Sequence, residues 1–160
     1  MILLVAGAWA ANPWKDMPAD VVTEVTVAAA PEVVTRLLAD LPAVAEAFPS
    51  ACFTRWSLGV PDRGLGAMAR LTYTPHWMSR RLTLEVGDVA EGQRVVWEHP
   101  EDGGFQTTFG VSAVDGGSRV TVETPINPLP WPIRKLYQNR IRPAWEACYR
   151  DGLQRLTGAK

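Results

Sequence analysis

The apolar positions of this chain change period twice, and the changes mark out a strand, two short helices, a run of strands and a closing helix. Residues 21–27 alternate apolar and polar positions and are rich in β-branched side chains, which predicts a strand. Pro31 and Pro42 each stand where the first turn of a helix tolerates proline, and a short helical stripe follows each of them. Pro49 ends the second helix.

From Cys52 onward the apolar positions recur at every second residue, which is typical of strands that bury one face. Turn sequences rich in glycine and aspartate separate the runs. The pattern predicts strands near residues 52–58, 66–74, 80–89, 94–99, 105–114 and 119–125. With the first strand they make an antiparallel sheet of about seven strands.

A helical stripe closes the chain. Apolar residues recur at spacings of three and four from Ile133 to Leu156, which predicts one long amphipathic helix. Because proline removes a backbone hydrogen bond, we expect a bend at Pro143, and we expect Trp145 to be largely buried against the sheet. The chain is predicted to be one domain, residues 19–160, preceded by an apolar segment and link, residues 1–18.

Two local sequences add to this order of elements. Residues 30–40, Ala-Pro-Glu-Val-Val-Thr-Arg-Leu-Leu-Ala-Asp, and residues 116–122, Gly-Gly-Ser-Arg-Val-Thr-Val, are similar to passages of the polyketide cyclase branch of the START-like (SRPBCC) superfamily. Many members have Trp before the proline of the second helix, where this chain has Phe48-Pro49. The resemblance implies an α+β helix-grip fold: a curved antiparallel sheet wrapped around the long C-terminal helix, with two short helices after the first strand and a hydrophobic cavity. It carries over no catalytic residue.

Charge and motif content argue against several other functions. A net charge of −1 provides no field that would attract nucleic acid. Residues 64–69 match a GxGxxA pattern, but a strand follows where a dinucleotide-binding loop needs a helix, so these glycines are assigned to a hairpin. Two histidines cannot form a histidine-rich metal site, and no ligand spacing supports a mixed site. We therefore expect no cofactor and no metal.

Cys52 and Cys148 form neither a CxxC pair nor a zinc-ligand spacing. Two buried free thiols are the favoured interpretation, and a long-range disulfide is the alternative.

The candidate ligand contacts lie on the expected inner face of the sheet and on the closing helix. His99 shares a strand face with Val95 and Trp97, so on a concave face it would point into the cavity and could orient a ligand or act as an acid or base. The interpretation that we favour is a strand-end histidine bound to a carbonyl or water. The predicted ligand-binding residues, with His99 and two threonines as polar anchors, are Trp97, His99, Phe105, Thr107, Phe109, Val111, Val122, Thr124, Trp145 and Tyr149.

Strand alternation also predicts where the cavity opens. Successive antiparallel connections fall at alternate ends of a sheet, so residues 75–79, 100–104 and 127–132 share one end. The apolar residues 1–11 are expected at that end too, as a packed lid or a membrane anchor, with an export signal as a third interpretation. We expect a cytoplasmic protein and leave membrane association and export open; the sequence carries no signal for the oligomeric state. The predicted mouth residues are His76, Trp77, Met78 and Trp131.

Three functions fit this pattern. The leading hypothesis is non-catalytic binding or transfer of a hydrophobic small molecule, such as a lipid, a polyketide or an isoprenoid-like compound. The alternative is an enzyme of the polyketide cyclase or dehydrase type, for which His99 and Tyr149 are the candidate polar groups. The second alternative is an interaction module without a ligand.

Overall fold

The computed structural model describes residues 19–73, 80–100, 105–125, 139–140 and 142–158. The elements in these ranges follow the predicted order. They are β1 Ala19–Val27, α1 Pro31–Leu38, α2 Leu41–Ala47, β2 Phe53–Leu58, β3 Met68–Tyr73, β4 Arg80–Ala90, β5 Arg94–His99, β6 Phe105–Val114, β7 Gly117–Pro125 and α3 Arg142–Leu156.

The strands of the described residues form one antiparallel sheet with the order β1-β7-β6-β5-β4-β3-β2. From β3 to β7, each strand pairs with the strand before it in the chain. β1 pairs with β7, so β1 and β2 are the two edge strands. Gly92 and Gly116 occupy the turns after β4 and β6 with φ angles of 70° and 78°, a region that glycine adopts without steric cost. The predicted helix-grip α+β fold is confirmed.

Local sequence features determine where the two short helices begin. Pro31 begins α1 and Glu32 lies in its first turn, where a carboxylate favours the helix dipole. The Asp40 carboxylate accepts from the Ala43 backbone N–H at 3.1 Å and so caps α2. The Gly92 N–H donates to the Thr35 hydroxyl at 3.0 Å, which fastens α1 to the β4–β5 turn.

Helix α3 packs against α2 and against β1, the strand at one edge of the sheet. Its inner face is closely fitted: a Cβ built on Gly152 would lie 2.6 Å from Cδ1 of the Phe48 ring. The described α-helix runs from Arg142, and residues 139–140 ahead of it are π-helical. The first part of the predicted helix, residues 133–138, lies outside the described residues, and the bend stays a prediction.

Cys52 and Cys148 are joined by a disulfide with a Cα–Cα distance of 6.1 Å, so the prediction of free thiols is wrong. Cys52 lies in the turn that leads into β2, and Cys148 lies on the inner side of α3. The two cysteines meet because α3 packs beside α2. They are 96 residues apart in the chain, so the local sequence does not indicate that they pair.

The two ends of the sheet carry different connections. At one end, which we call the His99 end, Tyr73 pairs with Arg80, His99 with Phe105, and Ala19 with Pro125. The strands that flank residues 74–79, 101–104 and 126–138 therefore end side by side there, as strand alternation predicts, while those connections lie outside the described residues. The other end, which we call the Gly92 end, carries the turns at Gly92 and Gly116 and the β2–β3 connection.

No helix among the described residues has the length and apolar content that a membrane crossing requires.

Candidate functional site

The burial of the side chains along β5 shows which face of the sheet is the inner one. Val95, Trp97 and His99 are buried and alternate with the opposite face of the strand, and the Trp97 indole N–H donates to the Leu38 carbonyl of α1 at 2.9 Å. The face that carries His99 is therefore the face covered by the helices. We expected His99 to point inward if its strand face was the inner one, and this is the case.

The centre of this face is occupied by packed aromatic rings. The Tyr149 ring of α3 lies 5.8 Å from that of Phe109, 6.0 Å from that of Phe48 and 6.3 Å from that of Phe53. The rings of Trp97 and Phe109 are 4.4 Å apart, and these two residues are 1% and 0% exposed. Such edge-to-face pairs stabilise a core. The structure thus places the predicted contacts Trp97, Phe109 and Tyr149 in the packing of α3 on the sheet.

Two further predicted contacts, Val111 and Val122, are buried on the same inner face, in β6 and β7. Val111 pairs with Val120, and Val122 pairs with Phe109, so both continue the apolar floor that the aromatic rings begin. Their contact with a ligand stays a prediction.

Three predicted polar anchors, His99, Thr107 and Thr124, lie on the same face of the adjoining strands β5, β6 and β7, and we call them the polar row. All three are buried, and the side-chain oxygens of Thr107 and Thr124 are 3.1 Å apart. One hydrogen bond between two hydroxyls uses one of their two protons, so the second proton is left to donate elsewhere.

His99 has a defined ring orientation. Its Nδ1 lies 3.1 Å from the Thr83 carbonyl oxygen, which confirms the interpretation of a strand-end histidine held by a carbonyl. Because a carbonyl only accepts, Nδ1 carries a proton, and in the neutral ring Nε2 is then the acceptor nitrogen. The polar row thus combines two hydroxyls with a buried imidazole of defined orientation.

Of the two aromatic residues of α3, Trp145 lies nearer to the His99 end and Tyr149 lies farther from it. Its ring is 4.7 Å from that of Tyr73 at the end of β3 and 5.9 Å from that of Tyr149. The residue is partly buried, whereas we expected it to be largely buried.

Five of the predicted residues cannot be placed. The backbone of Phe105 pairs with that of His99, but its side chain lies outside the described residues. The predicted mouth, His76, Trp77, Met78 and Trp131, also lies outside them. The part of the chain that the structure describes holds no group of three or more His, Cys, Asp or Glu able to bind a metal ion.

Sequence reasoning missed three residues of the aromatic cluster: Phe48, Phe53 and Tyr73. All three are buried, and Phe53 contacts both of the others at 5.5 Å between ring centroids. A signal for Tyr73 was available, because it continues the alternation of Ala69 and Leu71 along β3.

A sequence model of the family described as polyketide cyclase / dehydrase and lipid transport matches residues 18–159. The chain belongs to this family. The START-like resemblance is therefore confirmed, and membership of the polyketide cyclase / dehydrase and lipid transport family indicates a fold that binds hydrophobic small molecules. The comparison with curated proteins gives no match.

Solved structures share the fold of this family member. The solution structure of the KanY protein is 17% identical, covering 88% of this chain and 95% of that chain with a TM-score of 0.72. The crystal structure of TTHA0849 from Thermus thermophilus is 20% identical, covering 86% and 97% with a TM-score of 0.65. Protein NE0264 from Nitrosomonas europaea is 14% identical, covering 89% and 99% with a TM-score of 0.57. At these identities the likeness concerns the fold alone.

Proposed function

We propose that the protein binds and transfers a hydrophobic small molecule without changing it chemically. The candidate site is the His99 end of the inner sheet face, between the polar row and the first turns of α3. The observation that carries the proposal is the polar row itself: buried hydroxyls and an imidazole at the His99 end of a largely apolar face. Binding sites of this kind are mostly apolar with a few placed polar groups.

The aromatic surface and the polar row of the candidate site would contact different parts of a ligand. Trp145 and Tyr73 provide aromatic surface that suits the apolar body of a ligand. The hydroxyl proton left over by the Thr107–Thr124 pair suits an acceptor oxygen on the ligand. A lipid, polyketide or isoprenoid-like molecule with one oxygenated end would satisfy both sides.

A cyclase or dehydrase activity is the second candidate, because His99 is a buried imidazole on the inner face of the sheet and an imidazole can act as an acid or a base. The partner of Nδ1 is a neutral backbone carbonyl. A carboxylate partner would stabilise the imidazolium that a general base forms, and a carbonyl does so far less. This is why we rank binding above catalysis.

The first test is the content of the purified protein. We expect solvent extraction and mass spectrometry to recover a hydrophobic small molecule, and we expect the protein stripped of it to take up a fluorescent fatty acid. Absence of both would leave the interaction module as the remaining hypothesis.

Substitution separates binding from catalysis. His99→Gln keeps a polar group at the site but removes the basic nitrogen, so binding should persist and the recovered molecule should be unchanged. If the recovered molecule in His99→Gln or Tyr149→Phe is a precursor of the one recovered from the wild type, the protein is an enzyme and the proposal of simple binding is wrong.

A further inference from the structure

The disulfide between Cys52 and Cys148 joins the turn before the edge strand β2 to the middle of α3. One end of the bond is held by the backbone, because the N–H groups of Cys52 and Phe53 donate to the Pro49 carbonyl at 2.9 Å and 3.1 Å. The other end lies on a helix that packs on the sheet through its side chains. The bond therefore ties α3 to a fixed turn.

The position of the bond divides α3 into two parts that differ in burial. Residues 142–147 are half-buried or exposed. The second part fits closely against α2, where Gly152 meets the Phe48 ring, so packing holds it as well. The first part has less packing, and the disulfide is a covalent tie at its end. The buried residues of α3 all belong to the second part and are Cys148, Tyr149, Gly152, Leu153 and Leu156.

The bond also stands beside the aromatic rings of the candidate site. The residue after each cysteine is aromatic, Phe53 in β2 and Tyr149 in α3, and their rings are 6.3 Å apart. The Phe53 ring lies 5.5 Å from that of Tyr73, and the Tyr73 ring lies 4.7 Å from that of Trp145. Tyr73 and Trp145 are the aromatic surface that the proposed function assigns to the ligand. A shift of α3 relative to β2 therefore alters that surface.

We propose that the Cys52–Cys148 bond is a redox switch of the ligand site, an inference that rests on the proposed binding function. In the oxidised protein the bond holds the first turns of α3 against the sheet. Reduction takes two electrons and two protons from a dithiol, which closes into its own disulfide, and it leaves both cysteines as thiols. The first turns of α3 are then free to move away from Tyr73, and the aromatic surface fits the ligand less closely.

The burial of the bond links reduction to occupancy of the site. Cys52 is 3% exposed and Cys148 is 9% exposed, so a dithiol reaches the sulfur atoms when α3 opens. A ligand that fills the site keeps α3 on the sheet and opposes this opening. Because coupling between two sites is reciprocal, a ligand that binds the oxidised protein more tightly must favour the oxidised state by the same factor.

Titration of the stripped full chain with a fluorescent fatty acid tests the proposal, in the oxidised state and after treatment with dithiothreitol. Mass spectrometry after alkylation counts the thiols, and circular dichroism measures whether the reduced protein is folded. We expect the reduced protein to bind the fatty acid about fivefold or more weakly. Cys52→Ser with Cys148→Ser should bind as the reduced protein does, with and without dithiothreitol.

The matched control for a general loss of stability is Val34→Ala. Val34 is 0% exposed in α1, which Thr35 fastens to the turn at the Gly92 end. Its truncation weakens the core and leaves the disulfide in place. The affinity of this variant should stay within about twofold of the wild type. A loss equal to that of the reduced protein would assign the effect to stability and overturn the proposal.

Equilibration in mixtures of oxidised and reduced dithiothreitol gives the reciprocal measurement. Saturating fatty acid should shift the ratio of oxidised to reduced protein by the factor found in the titration. Equal affinity of the two forms would overturn the switch and leave the proposed function standing. A reduced protein that unfolds would also overturn the switch, since the bond would then be a requirement of the fold. Absence of binding by the oxidised protein would instead contradict the proposed function, and the switch would fall with it.

Discussion

The side-chain oxygens of Thr107 and Thr124 lie 3.1 Å apart on adjoining strands, and both residues are buried on the largely apolar inner face of the sheet. A hydroxyl buried without a partner costs about 1–3 kcal/mol, and pairing removes much of that cost. The pair is therefore compatible with a stable core, while its second proton remains suited to a ligand oxygen.

The disulfide should provide a large share of the stability. Replacement of both Cys52 and Cys148 by serine opens a loop of 96 residues, and we expect the free energy of unfolding to fall by about 2–4 kcal/mol. Urea unfolding of the variant, of the oxidised protein and of the reduced protein measures this. The variant and the reduced protein should agree; equal stability of the oxidised and reduced forms would contradict the assignment of a stabilising bond.

Gly152→Ala tests the fit of α3 against α2. Alanine favours a helix over glycine by about 1 kcal/mol, but the new methyl group would lie 2.6 Å from the Phe48 ring. Overpacking of this kind costs about 1–3 kcal/mol, so we expect a net loss of stability. Thermal unfolding measures it, with Gln154→Ala on the exposed side of the same helix as the control. A gain in stability would mean that α3 lies farther from Phe48.

Substitution of Trp97 and of Trp145 should distinguish a residue that supports the core from one that contributes to the binding site. Trp97 is 1% exposed and its N–H is bound to Leu38, so Trp97→Ala should cost about 3–5 kcal/mol of stability. Trp145 is partly buried, so Trp145→Ala should cost less stability and should lower the affinity for a fluorescent fatty acid. Denaturant unfolding and titration of both variants are compared. Equal losses of stability, with no change in affinity for Trp145→Ala, would place Trp145 in the core alone.

Much of the fold follows from local sequence pattern. Apolar periodicity and the turn residues on either side predict the bounds 94–99 for β5 and 105–114 for β6, and these are the bounds that the structure has. The position of His99, Thr107 and Thr124 on one face follows from the same alternation and from the order of the hairpins. Period and turn chemistry act between neighbours in the chain, so the sequence displays them directly.

The rest depends on how distant elements pack. The Cys52–Cys148 bond and the contact of Phe48 with Tyr149 arise only when α3 lies beside α2, and no local pattern encodes that placement. A helical stripe likewise tells which side of α3 faces inward but not how deeply each residue on that side is buried, as the partial exposure of Trp145 shows. The exposure of Val60 and Leu65 was missed because a GxG sequence identifies a turn without showing which side chains the turn exposes.

Titration with a hydrophobic ligand that carries one oxygenated end is the measurement that tests the central claim most directly. The comparison is between Thr107→Val with Thr124→Val, which replaces both hydroxyls by methyl groups of similar shape, and Thr108→Val on the outer face of the same strand. Removing both partners together should leave stability nearly unchanged. We expect the double variant to bind a fluorescent fatty acid about tenfold more weakly than the wild type, and Thr108→Val to bind it as the wild type does. Equal affinity in all three proteins, or no binding by any of them, would contradict a ligand site built on the polar row.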